Sequence, residues 1–295
     1  MQVSKHEEAW VAAILVLPVV ILFCLIFLYP VGRMVMLSFT NAPLIGDGDW
    51  VGLDNYIRQL SQPLFRRAVV NTLTFIALTV VPGTLLALLI ALGVSRLKGW
   101  LQAFVLVCFF LPTVLPVSVV TNLWAWMANL QYGILQPVFV LFTGGRPLPV
   151  FRSGTWFLPM IAIVTIWWTI GFKTLLFIAA LKNIPAEIYE AAALDNAGRW
   201  RVFRRITWPL IWPVTALVLT LALIAEFKIF SQAYILAQLN STPPNDRVVI
   251  MRLIYDLAFT QNKGGEGAAV ATMLFILIIA LSLLLSRLFR TRKTP

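Results

Sequence analysis

The chain has 295 residues, of which 60% are hydrophobic and 12% charged, and its formal net charge is +11. A soluble domain of this length cannot hide so much apolar surface, so its solvent must be lipid. No stretch joins basic residues to aromatics outside the apolar runs, so the positive charge does not point to nucleic acid.

Charge-free runs locate the predicted spans: Ala9 to Gly32, Ala68 to Ser95, Gly99 to Gly145, Ser153 to Phe172, Ile206 to Ala225 and Gly267 to Ser286. A helix needs roughly 20 apolar residues to cross the hydrocarbon core. The third run is too long for one span and is interrupted at Asn129-Leu130-Gln131-Tyr132-Gly133. One span per run predicts an all-α integral membrane protein with six transmembrane helices. The first run is too long for a secretion signal, and Tyr29-Pro30-Val31-Gly32-Arg33 offers no small-residue cleavage pattern. Cys24 and Cys108 fall inside apolar runs and read as small hydrophobes packed in helices. With His6 the single histidine, zinc chemistry and histidine-based catalysis find no support.

Ser38 to Arg67 is rich in turn residues and predicts an outer segment, with Tyr56 to Leu60 as a short amphipathic surface helix. Span two covers roughly Val69 to Val94 around Pro82-Gly83, and span three roughly Trp100 to Leu123 around Pro112 and Pro116. Each proline removes a backbone hydrogen bond and predicts a kink. Two readings of the kinks stand, a bend that shapes a pathway and plain packing. Trp124 to Thr155 is predicted to lie outside, with Trp124, Trp126, Tyr132 and Trp156 as an interfacial aromatic belt. Spans four, five and six run from about Trp156 to Leu181, Pro213 to Leu236 and Ala268 to Phe289. No internal repeat or separate soluble domain is visible, so 1–295 reads as one transmembrane domain.

An even number of spans puts both ends on one side. The tail Arg287, Arg290, Arg292 and Lys293, with Arg96 and Lys98 in a short loop, marks that side as cytoplasmic. Outer segments also carry arginines, Arg58, Arg66, Arg67 and Arg252 among them, so the asymmetry is moderate.

Residues 182–212 then form a long cytoplasmic loop. Pro185 suits a first helical turn, and Glu187 and Glu190 suit the positive end of the helix dipole. Ala191, Ala192, Ala193 and Leu194 extend a small-faced helix. Asn196 follows Asp195 where the helix should break, and asparagine tolerates a left-handed turn. A second amphipathic stretch, Trp200 to Ile206, leads back to the bilayer at Pro209 and Pro213. A helix–turn–helix of this kind, between apolar runs, reads as a handle for a second protein.

The loop resembles the EAA signature of permease subunits in bacterial ABC importers: Glu-Ala-Ala, three residues, Gly, nine residues, Ile, one residue, Leu-Pro. Glu190, Ala191, Ala192, Ile206 and Pro209 match in register, while Asn196 replaces the usual Gly and Trp208 the usual Leu. Tyr29-Pro30, Ser38-Phe39-Thr40, Gly52-Leu53-Asp54-Asn55-Tyr56, Asn71-Thr72-Leu73, the Pro112 to Trp126 region, Gly171-Phe172 and Asn183-Ile184-Pro185 extend the likeness to carbohydrate importers of the maltose and glycerol-phosphate type. The amino-terminal pattern is similar to the first of the two paired permeases. Ser231 replaces a common Asp, and Ser241-Thr242-Pro243-Pro244 stands where Gly-Gly-Pro is usual. The resemblance implies a coupling helix that docks on a separate ATPase through Glu190, Ala191, Ala192, Asp195, Asn196, Ile206 and Pro209. It further implies a second permease, two ATPase copies and an extracytoplasmic solute-binding protein. No Gly-Lys-Ser/Thr phosphate loop is present, so ATP and Mg would belong to the ATPase and this chain would carry no cofactor, metal or catalytic residue.

Charged groups at membrane depth are costly and point to a pathway, here Lys173, Glu226 and Lys228. Glu226 and Lys228 are two residues apart and cannot pair locally; Lys173 is near enough to the cytoplasmic end to snorkel there. Aromatic faces with a few polar groups suit a sugar, and Asn122, Trp124, Trp167, Trp168, Phe230, Gln232 and Tyr234 could supply them. The lysines leave open an acidic sugar derivative, and another small-solute class is the runner-up. An intramembrane enzyme or a channel finds little in the residues and does not explain the 182–212 loop.

Overall fold

The computed structural model describes residues 5–240 and 244–289. The tail residues Arg290, Arg292 and Lys293 and the Ser241-Thr242-Pro243 stretch lie outside the described residues. Helices dominate, and one isolated antiparallel bridge joins Thr40 and Trp50.

One compact unit comprises residues 1–62 and 253–275. Its first helix, α1 (Lys5–Phe23), continues through a π-helical stretch (Cys24–Leu28) into α2 (Tyr29–Leu37). Ala13–Leu37 is apolar enough to span a membrane, yet none of its most apolar window is buried against the chain itself. Cys24 is therefore exposed here rather than packed. The predicted surface helix is α3 (Asp54–Ser61). Its placement explains the Gly52-to-Tyr56 pattern: Gly52 turns the chain at φ +62°, and Asn55 Nδ2 donates to the Ser38 and Thr40 carbonyls at 2.9 and 2.8 Å. The Tyr56 and Ser38 hydroxyls lie 2.6 Å apart. Another π-helical stretch (Asp256–Thr260) precedes α15 (Gly264–Leu288), whose early residue Glu266 accepts from Arg58 and Gln59 at 2.9 and 2.6 Å.

The second unit comprises residues 63–252 and 276–295. Its long helices are α4 (Pro63–Val94), α5 (Gly99–Val114), α8 (Phe157–Lys182) and α11 (Trp208–Phe227). Between them lie α6 (Val117–Met127), α7 (Gln136–Phe142), α9 (Ala186–Leu194) and α10 (Arg199–Val202), with a π-helical stretch (Phe203–Thr207) leading into α11. Beyond α11 come α12 (Ser231–Asn240), α13 (Pro244–Arg247) and α14 (Ile250–Tyr255).

Helices α4 and α8 form the centre, with half or more of their most apolar windows buried. Gly83, Ala87 and Ala91 recur every fourth residue on α4, so one face is small. Small faces allow close helix approach where lipid supplies no hydrophobic drive. Ala87 and Ala91 pack with Phe177, Ile211 and Val218 from α8 and α11. Toward the other end Phe75, Val120, Phe157, Ile161 and Leu236 make a second cluster. Gly171 fits where α8 meets α5, since a Cβ there would lie 2.2 Å from the Phe109 carbonyl oxygen. Cys108 on α5 is exposed, not packed.

Among the described residues five helices have the length and hydropathy of a span, or up to six if the bent α5–α6 pair counts as one. The predicted third span is not one continuous helix: α5 and α6 meet at 100° across Leu115-Pro116. The fifth span also ends earlier than predicted. Helix α11 stops at Phe227, Lys228 leaves helical geometry, and α12 restarts at Ser231. Pro82, by contrast, lies inside a continuous α4.

Candidate functional site

The first helix of the 182–212 loop, α9, is closed at its C-terminal end by a turn. Pro185 occupies the N-cap of α9 and Glu187 its first turn. At the other end Asn196 adopts φ +51°, the left-handed conformation its short amide tolerates. Its N–H donates to the Ala193 carbonyl at 3.1 Å, and that of Ala197 to Ala192 at 3.0 Å. Those two bonds are the Schellman pair that satisfies the last carbonyls of a helix. Ala192 is buried, whereas Glu190, Ala191, Asp195 and Asn196 are exposed. Leu194 is 85% exposed, an unusual state for a leucine at a helix end. Tyr189 and Thr207 hydroxyls meet at 3.1 Å and tie α9 to the start of the next span. A concavity of about 650 Å³ between α9 and α10 is walled by Glu187, Ala191, Asp195, Arg201, Arg205 and Ile206. Pro209 lies just inside α11, directly after the π-helical stretch Phe203–Thr207.

The predicted pathway residues separate into three groups. Lys173 does not snorkel: it is buried on α8 with its Nζ 4.0 Å from Glu226 Oε1 on α11. Among the described residues the Lys173 ammonium has no hydrogen-bond partner, and the buried Thr84 and Thr174 hydroxyls have none either. Glu226 thus finds its partner on another helix, not in Lys228 two residues along its own chain.

The second group is the α5–α6 break. Trp168 Nε1 donates to the Leu115 carbonyl at 3.1 Å, and Thr113 Oγ1 donates to the Trp168 carbonyl at 2.9 Å. The Leu115 carbonyl freed by the break is thus satisfied from α8, as a non-helical turn at membrane depth requires. Trp124 is half-buried and edge-on to Trp167 at 5.7 Å, packed on the core. Asn122 is exposed and donates to the Ser118 carbonyl of its own helix.

The third group lies past α11. Phe230 and Tyr234 stack at 5.2 Å, and the Arg252 guanidinium sits 4.8 Å over the Tyr234 ring. Gln232 is half-buried on α12, and Lys228 is exposed and, among the described residues, forms no ion pair. Arg252 was counted in the sequence only as an outer basic residue. Its signal was available, a lone charge within Val248-Val249-Ile250-Met251-Arg252-Leu253-Ile254-Tyr255. Asn71 and Thr72 hold this segment, Asn71 Nδ2 donating to the Val248 carbonyl and Thr72 Oγ1 accepting from the Ile250 N–H. Among the described residues no cluster of His, Cys, Asp and Glu could hold a metal.

Residues 83–294, which contain the 182–212 loop and every predicted pathway residue, match the family described as binding-protein-dependent transport system inner membrane component. The chain belongs to that family. It is a multi-pass inner-membrane permease, a translocation subunit and not an enzyme. It is 31% identical over 291 residues to the inner membrane ABC transporter permease protein YcjO of Escherichia coli, covering 95% of this chain and 94% of that one. It is 30% identical over 286 residues to the sulfoquinovosyl glycerol transport system permease protein SmoG of Agrobacterium fabrum, covering 95% and 91%. The trehalose/maltose transport system permease protein MalF of Thermococcus litoralis is 29% identical over 299 residues, with 98% and 97% covered. The permease also shares its fold with a chain of a bacterial alginate ABC transporter, crystallised in complex with alginate pentasaccharide-bound periplasmic protein. That match has a TM-score of 0.83 at 22% identity and covers 96% and 95% of the two chains.

Proposed function

We propose that this permease forms the membrane pathway for a sugar or sugar derivative delivered by an extracytoplasmic solute-binding protein. It would work as a heterodimer with a second permease, driven by two copies of an ATPase that hold ATP and Mg. Residues 1–295 then act as one transmembrane permease domain with both termini in the cytoplasm. The observation that carries this reading is α9: a helix closed by the left-handed turn at Asn196 and presenting Glu190, Ala191, Asp195 and Leu194 to solvent. An exposed helix held by Tyr189–Thr207 at the start of a span can pass a push from outside into α11. Glu190 makes the charged contact with the ATPase in this account, while Ala191 lets its backbone approach.

An anionic sugar derivative is the second reading. It is favoured by Arg252 over Tyr234 and by the exposed Lys228, cations beside a stacked aromatic pair. Guanidinium groups recognise carboxylates and sulfonates in a planar, bidentate way, and rings stack on sugar faces.

The test is a mild-detergent pull-down of the chain from its own membrane, followed by uptake assays with Glu190→Lys. Recovery of an ATPase and a second permease, with uptake lost in the variant although it stays in the membrane, is expected. Isolation of the chain alone, or unimpaired uptake by Glu190→Lys, would sink the proposal.

A further inference from the structure

Two adjoining cavities lie beside the last turns of α4, on the coupling-loop side of the second unit. The first, about 460 Å³, is walled by Leu85, Leu88, Leu89 and Leu92 of α4. Facing them is an aromatic wall in which Trp200 and Phe203 stack at 5.7 Å and Phe203 tilts against Trp208 at 6.2 Å. Arg204 is the one charged residue on that wall. The second cavity, about 900 Å³, shares Leu89, Leu92, Trp200 and Phe203 with the first and is lined further on by Arg96, Lys182 and Arg199. Neither cavity is lined by a carboxylate.

We propose that this apolar groove and its basic end together bind an anionic phospholipid, chain in the groove and phosphodiester among the arginines. The groove runs along a membrane span from Leu85 to Leu92, seven steps and about 10 Å at the helical rise. Leu85 and Leu89 are more than half exposed within it, at 51% and 65%. Arg96 and Lys182 stand where α4 and α8 end, at the level of a headgroup. A water-soluble anion would have no use for the leucine groove, and a neutral lipid none for four cations without an acid. Basic pockets beside spans favour anionic headgroups in this way, at about 1 kcal/mol per cation near the surface. The site is independent of the solute carried; it rests on the importer reading only for the assembled complex in which it is tested, and failure of that complex to assemble would count against that reading rather than against the lipid site.

The test uses the assembled complex, titrated in mild detergent with phosphatidylglycerol or phosphatidylcholine of equal chain length and read by native mass spectrometry. Only complexes that have assembled are counted, so a misfolded variant cannot mimic lost binding. Preferential retention of phosphatidylglycerol is expected, falling about fivefold for each of Arg96→Gln and Arg204→Gln. Leu89→Trp, which fills the groove, should weaken retention of both lipids. Unchanged phosphatidylglycerol retention in all three variants would overturn the proposal. So would an efficient photocrosslink from a benzophenone side chain placed at position 89 to a partner subunit, because polypeptide would then occupy the groove.

Discussion

Lys173 and Glu226 face each other across α8 and α11 with Nζ and Oε1 4.0 Å apart, both side chains under one-tenth exposed. At that distance the ions attract without sharing a hydrogen bond. Gly83 on α4 makes room for the ammonium, since a Cβ there would lie 3.3 Å from it. Three helices therefore meet at one charge pair inside the membrane domain.

Neutralising one partner should cost more than neutralising both. Lys173→Met or Glu226→Gln leaves an uncompensated buried charge, at about 3–5 kcal/mol, whereas the double variant removes the problem with its cause. Thermal unfolding of the purified complex in detergent checks this. Additive losses in the double variant would mean the two residues act separately.

Trp168→Phe keeps the ring and deletes the Nε1–H that the Leu115 carbonyl accepts. The unpaired carbonyl at the α5–α6 break should cost about 1–3 kcal/mol. Thermal midpoints together with uptake rates measure it, and an unchanged midpoint would show that water replaces the indole.

Asn196→Gly should preserve the turn, and Asn196→Val should strain it. Left-handed geometry costs a residue with a Cβ roughly 1–2 kcal/mol, and a β-branched one most of all. If the capped α9 is the ATPase handle, co-purification of the ATPase survives the first change and falls with the second. Equal recovery would disconnect the Schellman turn from docking.

Gly171→Ala should destabilise the protein by about 1–3 kcal/mol, because α5 must retreat from the added methyl. Gly93→Ala is the control, since nothing lies within 4 Å of the Cβ it adds. Unfolding midpoints of the two variants should differ in that order.

Local patterns of residues were enough to show that the chain lives in lipid, roughly where its spans run and where the helical loop 182–212 interrupts them. Those properties are local: hydropathy over about 20 residues, an asparagine able to turn left, a proline fit for a helix start. Such patterns determined the meaning of Asn55 and Asn71-Thr72 less well, because their side chains serve backbone groups distant in the chain. Packing in three dimensions is what pairs Lys173 with Glu226, fastens the α5–α6 bend with Trp168 and lays Arg252 on Tyr234. Each of these pairs unites residues from different helices, and the physics that selects the partner is a distance. Pro82 and Pro116 look alike as breakers, yet α4 runs straight through the first while the chain turns by 100° at the second. The difference lies in what surrounds the break, for Leu115 finds the Trp168 indole to accept from. Hydropathy shows where a chain must satisfy its own polar groups, but the packing of neighbouring helices decides which groups answer.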